Sequence, residues 1–306
     1  MGTSDSTTQP LSWQRGTSPR SRVAIVTDSV AQVSPELAHE LGITVIPLKL
    51  VLGGREYRDG VDITPTELYR RMQEEKILPH TSSPSVGEYQ SVFLSLLHEG
   101  AEAVVCLTIS SQLSMAYNAA RIAAETARSE YPDRKVEVID TRIAARAEGF
   151  IAMQAARVAA EGGSCEQVVA AAQAARERVG LVATVDTLEY LARGGRVSLA
   201  ASLLGSLLQV KPLLTILGDG SAACIARKRT KRAALEYMVE YVADRMNGRR
   251  PLQLAVMQAA ASEDAQQLQQ WVTQMWPSAE IAVTDFTPVM GGHTGPGLIG
   301  LAFHHE

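Results

Sequence analysis

Two hydrophobic rhythms alternate along the first half of this chain. Short unbroken apolar runs at 23–27, 103–109 and 136–139 have the character of strands buried on both faces. The stretches between them place apolar residues at helical spacing instead. The clearest is opened by Ser85-Val86-Gly87-Glu88, a capping box in which Ser and Glu side chains satisfy the first free amides, and continues with Tyr89, Val92, Phe93, Leu96 and Leu97. Ser34-Pro35-Glu36 and Thr64-Pro65-Thr66-Glu67 are further helix starts, each with a hydroxyl cap and a proline at the first helical position, and Glu67 is expected to complete a second box. Ala-rich helices are expected over 116–127 and 144–160. Residues 43–51, the Gly53-Gly54 turn and residues 55–58 predict strand, turn and strand, with Pro47 pointing to a sheet edge. Strands alternating with helices predict a mainly parallel α/β sheet.

At Glu161-Gly162-Gly163-Ser164 a glycine helix end is followed at once by a fresh cap. Beyond it the pattern predicts a helix over 165–178, strands over 181–185 and 213–217, and a Gly218-Asp219-Gly220 turn. A long helix over 230–246, a strand over 252–257, a helix over 262–275 and a strand over 281–286 follow. A glycine-rich loop at 291–297 and an apolar strand at 298–303 close the chain. We therefore expect two α/β domains, 22–161 and 162–306, and read residues 1–21, rich in Ser, Thr, Gln, Pro and Arg, as a disordered tail. The tail lacks the apolar segment of a secretory signal.

Composition narrows the function classes. Lys and Arg number 29 against 33 Asp and Glu, a net charge of -4, so there is no global basic field for nucleic acid. No apolar run reaches the roughly 18 residues of a membrane span. Cys106, Cys165 and Cys224 have neither disulfide-framework nor zinc spacing, which points to a reducing, cytoplasmic setting. The phosphate-loop, H-E-x-x-H, paired C-x-x-C and G-x-S-x-G signatures are absent. Residues 295–300 match G-x-G-x-x-G, but the chain is too short beyond them for the helix and acid of a dinucleotide site, so a tight turn is expected.

What remains is a set of hydroxyl-rich turns. Thr81-Ser82-Ser83-Pro84-Ser85 and Ser110-Ser111-Gln112-Leu113-Ser114 each precede a helix, and Asp28-Ser29 follows the first strand. In open α/β sheets ligands bind beyond the carboxyl ends of strands, so the three turns are placed to converge on one crevice; independent helix caps are the competing reading. With no Lys or Arg in these turns, a single carboxyl group suits them better than a dense phosphate cluster. Arg193-Gly194-Gly195-Arg196 puts Arg196 at a helix start, where positive charge is unfavourable without an anion partner; a plain surface charge is the alternative. His293 is framed by glycines in 291–297. The other histidines, His39, His80 and His98, read as surface or packing residues, and His304-His305 as a frayed end. The uncharged stretch 197–210 is a buried core helix, a tunnel wall or a membrane-touching flap. The basic run 227–232 reads as a solvated helix start, or else as a docking patch for an acidic protein.

In the order and spacing of Val26-Thr27-Asp28-Ser29, the 81–85 and 109–114 turns, Leu188-Glu189-Tyr190-Leu191, Gly194-Gly195-Arg196, Lys211-Pro212 and His293-Thr294-Gly295-Pro296-Gly297, the chain resembles the DegV family of bacterial fatty-acid-binding proteins. The resemblance implies one long-chain fatty acid held between two α/β domains. It further implies a carboxyl group met by Thr81 and Ser114 with Ser82 nearby, Arg196 and His293 close by to support phosphoryl transfer, and no metal or cofactor. The implied partner is a separate ATP-dependent fatty-acid kinase, with room for a transient membrane contact and no role for nucleic acid. Met115-Ala116 stands where the family usually has Gly-Thr, and Gln258 where a His is common. The competing readings are a hydrolase or acyltransferase using Ser114 and His293, and a nucleotide or sugar-phosphate binder.

Overall fold

The computed structural model describes residues 22–75, 77–195 and 210–306. Four parallel strands, β1 (Val23–Asp28), β2 (Ile43–Ile46), β6 (Ala103–Thr108) and β7 (Lys135–Asp140), form the first sheet in the order β2-β1-β6-β7. Helices α3 (Val86–His98) and α4 (Ala116–Glu130) pack together on it. So do α1 (Pro35–Leu41), α5 (Arg146–Ala160) and α6 (Cys165–Arg176), and between these layers every residue of β6 is buried. The expected capping box opens α3. At α2 (Pro65–Glu74) only half of one forms: Thr64 accepts from Glu67 N, but the Glu67 carboxylate turns to the Arg70 guanidinium at 2.8 and 3.1 Å.

Residues 43–51 do not make one strand. Proline has no N–H to continue a ladder, and the chain leaves the first sheet at Pro47. Leu48 N is taken up by Ser29 Oγ at 3.0 Å and Leu48 O by Asp59 N at 2.8 Å. The following β3 (Lys49–Leu52) joins a separate antiparallel sheet between β4 (Arg55–Arg58) and β5 (His80–Ser82). Thr81 and Ser82, expected in a loop, are therefore strand residues, with Thr81 opposite Leu50.

The third sheet has the order β10-β9-β8-β13-β11-β12: β8 (Val179–Thr184), β9 (Lys211–Ile216), β10 (Ala222–Lys228), β11 (Pro251–Gln258), β12 (Glu280–Asp285) and β13 (Ile299–His305). Only β11 and β12 run parallel. Helix α7 (Glu189–Gly194) follows β8; α8 (Lys231–Met246) packs on β8, β9 and β10, and α9 (Ser262–Met275) on β11 and β12. After the Glu161–Ser164 turn, α6 packs on α5 and against β6 and β7, and the chain enters the third sheet at Val179. Helix α5 lies against both large sheets. Its closeness to the turn that follows β1 depends on Gly149, where a Cβ would stand 2.2 Å from Ala31 O.

Three expectations need correcting here. The basic run is no continuous helix start: Arg227 and Lys228 end β10, a strand the pattern did not announce, and α8 begins only at Lys231 behind its Thr230 cap. Lys231 is held by Asp186 at 3.0 Å and Asp264 at 3.7 Å. His304 and His305 are not frayed but buried in β13, and burial pushes the His304 imidazole down to about 4. Finally, 291–297 is not all loop, because α10 (Pro288–Thr294) carries His293 in its last turn. The tail 1–21, Arg196 and residues 197–209 lie outside the described residues. Among those described, no helix is long and apolar enough to cross a membrane.

Asp28 bolts the ends of β1 and β6 together. Its carboxylate accepts from Val30 N at 3.0 Å and Ile109 N at 2.9 Å, and it is fully buried. Burial raises its pKa to about 7 despite those bonds, with Asp59 adding repulsion. A carboxyl whose folded pKa lies above its unfolded one holds its proton longer in the native state. Its contribution is complete below the unfolded pKa and disappears as pH rises through the folded one. Asp28→Asn is uncharged at every pH, so its stability relative to the wild type should improve between about pH 4 and pH 7. Urea unfolding at those two values reads the change; a difference that stays constant contradicts it.

Candidate functional site

Beyond the carboxyl ends of β1 and β6, where parallel strands leave a crevice, the structure holds a cavity of about 340 Å³. The first sheet supplies Val30, Ile109 and, at the start of α5, Ala144 and Ala145. Ala145 adopts φ 59°, a left-handed conformation that a side chain makes unfavourable, in the cavity wall itself. The third sheet supplies Leu181, Ala183, Leu214 and Ile216, while Phe286, Met290 and Leu298 close the wall. No Asp, Glu, Lys or Arg is among the described lining residues.

The polar lining is Thr81, Ser82, Ser83, Ser114, Thr215, His293 and Thr294. Thr81 and His293, 212 positions apart in the chain, are joined by a hydrogen bond of 2.7 Å between Oγ1 and Nε2. If His293 Nε2 carries the proton and donates, the Thr81 hydroxyl proton is left to donate into the cavity. Ser114 Oγ accepts from Ala116 N at 3.2 Å, which leaves its own proton for a ligand oxygen. A carboxylate, which only accepts, complements two such donors. The partner of His293 Nε2 is Thr81, whereas a nucleophile-base pair would set a ring nitrogen of His293 on Ser114 Oγ.

The other hydroxyls of these turns have structural work. Ser110 Oγ donates to Gly220 O at 2.7 Å, tying the 110–114 turn to the β9–β10 hairpin. Gly220 has φ 88°, and a Cβ there would meet Ser110 Oγ at 2.3 Å. Ser111 Oγ donates to Asp140. Asp28-Ser29 does not bring a third hydroxyl into the cavity: Ser29 donates to Asp59 at 2.7 Å, and Val30 is the residue that reaches the wall.

Helix α10 is fixed from several sides. At its start Asp59 accepts from Val289 N at 2.8 Å. Along its length Gly291 and Gly292 lie so close to Tyr69 and Pro79 that a Cβ would meet them at 2.2 and 2.7 Å. At its end Gly194 abuts His293, where a Cβ would stand 2.6 Å from Nδ1. The glycines around His293 thus serve close packing. Residue-level reasoning missed the helix although Thr287-Pro288 repeats the Thr-Pro start seen at Thr64-Pro65. It also missed Leu181, Leu214, Ala145 and Phe286, whose apolar character does not distinguish a cavity wall from a solid core.

Comparison with known proteins bears on this arrangement. The model of the DegV family, described as uncharacterised proteins, matches residues 22–306. A DegV domain-containing protein of Streptomyces coelicolor is 36% identical over 280 residues, 91% of this chain and 97% of its own. Another from Halalkalibacterium halodurans is 31% identical over 287 residues, 93% and 99%. Among solved structures, a fatty-acid-binding DegV family protein of Thermus thermophilus superposes with a TM-score of 0.86 at 33% identity, covering 93% of this chain and 100% of that one. A stearic-acid-binding protein of Eubacterium ventriosum gives 0.83 at 29% identity, covering 92% and 98%.

Gly194→Ala tests how closely the site is set. The added methyl must displace the His293 ring and lengthen its bond to Thr81, while the overall fold has no other reason to change. The imidazole resonances of His293 should shift and the unfolding midpoint should fall by only a few degrees, about what 1 kcal/mol produces. Unmoved His293 resonances would contradict the contact.

Proposed function

The chain belongs to the DegV family, and on that premise we propose that it binds one long-chain fatty acid in the apolar cavity, with the carboxyl group at Thr81, Ser82, Ser114 and His293. The observation that carries this reading is the lining itself: apolar walls with no charged residue among those described, and donor hydroxyls beside one histidine. Fatty-acid binding by the Thermus thermophilus and Eubacterium ventriosum relatives supports it. A volume of about 340 Å³ lies within the range of about 300–1,000 Å³ usual for ligand pockets.

Magnitudes divide the work. A chain of about 14 methylenes at roughly 0.8 kcal/mol each sets an upper bound near 11 kcal/mol, before the cost of ordering the tail. Each hydroxyl donor adds about 0.5–3 kcal/mol, the upper part of that range for an ionised acceptor. The tail therefore supplies affinity, and Thr81 and Ser114 select an acid over an alcohol or ester.

The second part of the proposal is that the chain presents its ligand to a separate ATP-dependent kinase and catalyses nothing alone. A carboxylate oxygen would attack the γ-phosphorus of ATP, forming an acyl phosphate and releasing ADP. Arg196, outside the described residues, would balance the growing charge, and His293 would donate to a carboxyl or phosphoryl oxygen. The hydrolase reading has less support, since His293 Nε2 is engaged by Thr81.

Mass spectrometry of an organic extract of the purified protein should find fatty acid; repeated absence at any occupancy contradicts the proposal. In titrations, Thr81→Val and Ser114→Ala should each weaken palmitate binding about tenfold and leave hexadecanol binding nearly unchanged. Equal losses for acid and alcohol would remove the hydroxyls from the head-group role. With ATP alone the loaded protein should form no acyl phosphate, and formation without a partner would overturn the presenting role.

A further inference from the structure

A second cavity, of about 330 Å³, adjoins the apolar one and shares Leu181, Thr215 and Ile216 with it. Its character is opposite. Arg142, Arg176, Arg245, Arg249 and His305 line it, against one carboxylate, Glu177. Four distant segments deliver these groups: the link from β7 to α5, the end of α6 with the link to β8, the end of α8 with the turn that follows, and β13.

Glu177 lies 3.4 Å from Arg176 and answers that charge. Among the described residues no carboxylate stands within ion-pair distance of Arg142, Arg245 or Arg249. Asp219, near Arg142, is engaged by Ser221 N and Oγ at 2.9 and 2.7 Å and does not line the cavity. Arg245 is held 5.2 Å above the Tyr241 ring, and Tyr241 OH is in turn 3.2 Å from Thr215 Oγ1. Arg142 holds φ 53°, its amide donating to Asp140 Oδ1 at 2.9 Å, so its position comes with backbone strain. His305 is buried in β13, stacked on Phe303, and reaches the same cavity. Like charges converging in a concavity repel one another unless an anion joins them, and the forked guanidinium suits phosphate oxygens.

We propose that this cleft is a binding site for a small phosphate-bearing anion, with Arg142, Arg245 and Arg249 as its donors. The site is separate from the fatty-acid site and does not depend on that function.

Calorimetric titration of the full chain with pyrophosphate, and in parallel with inorganic phosphate, at fixed ionic strength tests the assignment. Saturable binding is expected, tighter for pyrophosphate, with the imidazole resonances of His305 moving in step. Arg245→Gln/Arg249→Gln should bind at least about tenfold more weakly, with an unchanged unfolding midpoint showing that it folds; Arg142→Gln should weaken binding as a single change. Heat without saturation, or equal affinity in wild type and variants, overturns the site. A third arm uses phosphatidylcholine vesicles containing about 20% phosphatidic acid. Arginine-dependent sedimentation with them, without saturation by pyrophosphate, would replace the small anion with a lipid head group and overturn the proposal as stated.

Discussion

The hydrogen bond between Thr81 and His293 joins the small antiparallel sheet to the helix that precedes the last strand, across 212 residues of chain. Its two ends sit on separate elements that also pack against each other. Thr81 is fixed by the ladder of β5 on β3, and β3 starts its separate sheet just after Pro47, where β2 has ended. His293 is fixed by α10, anchored at its start by Asp59 and seated by two glycines against Tyr69 and Pro79. Where the two meet, a strand from one part of the fold and a helix from another become a single edge of the cavity, and the polar and apolar surfaces acquire their separate places.

The rest of the architecture keeps the space beside that edge unfilled. Helix α5 lies against both large sheets and can come close because it presents Gly149 and a series of alanines. Small residues bring backbones together but leave volume at the ends, and the cavity lies at one such end, beside Ala144 and Ala145. Buried acids hold the walls: Asp28 links Val30 to Ile109, and Asp59 links Ser29 to α10. Burial raises the pKa of both. Isolating carboxylates from water is unfavourable, and here they bind amides that would otherwise be orphaned next to the cavity.

Much of this was legible in the sequence where the signal is local. Continuous apolar runs marked β1, β6 and β7, and hydroxyl caps before prolines or acids marked α1, α2 and α3, because those patterns report burial and free amides directly. The two hydroxyl-rich turns and His293 stood out by residue type and glycine framing, the family resemblance picked Thr81, Ser82 and Ser114 among the hydroxyls, and all four residues line one cavity. The misses share a cause. Whether 43–51 is one strand or two, whether Asp28-Ser29 faces a ligand or Asp59, and whether His304 is frayed or buried all depend on partners remote in sequence. Glu67 chose Arg70 over its cap because an ion pair at short helical spacing competed for the same oxygens. Apolar residues such as Leu181 and Leu214 carry no mark that separates a wall from a core.

The orientation of the bound chain is the central claim, and a crystal structure with palmitate brominated at its terminal carbon tests it most directly. The carboxylate should lie within hydrogen-bond distance of Thr81 Oγ1 and Ser114 Oγ. The anomalous peak of the bromine should fall among the apolar side chains of Leu181, Leu214 and Phe286. A bromine peak beside Thr81 and His293, or a lipid bound outside the cavity, would contradict it.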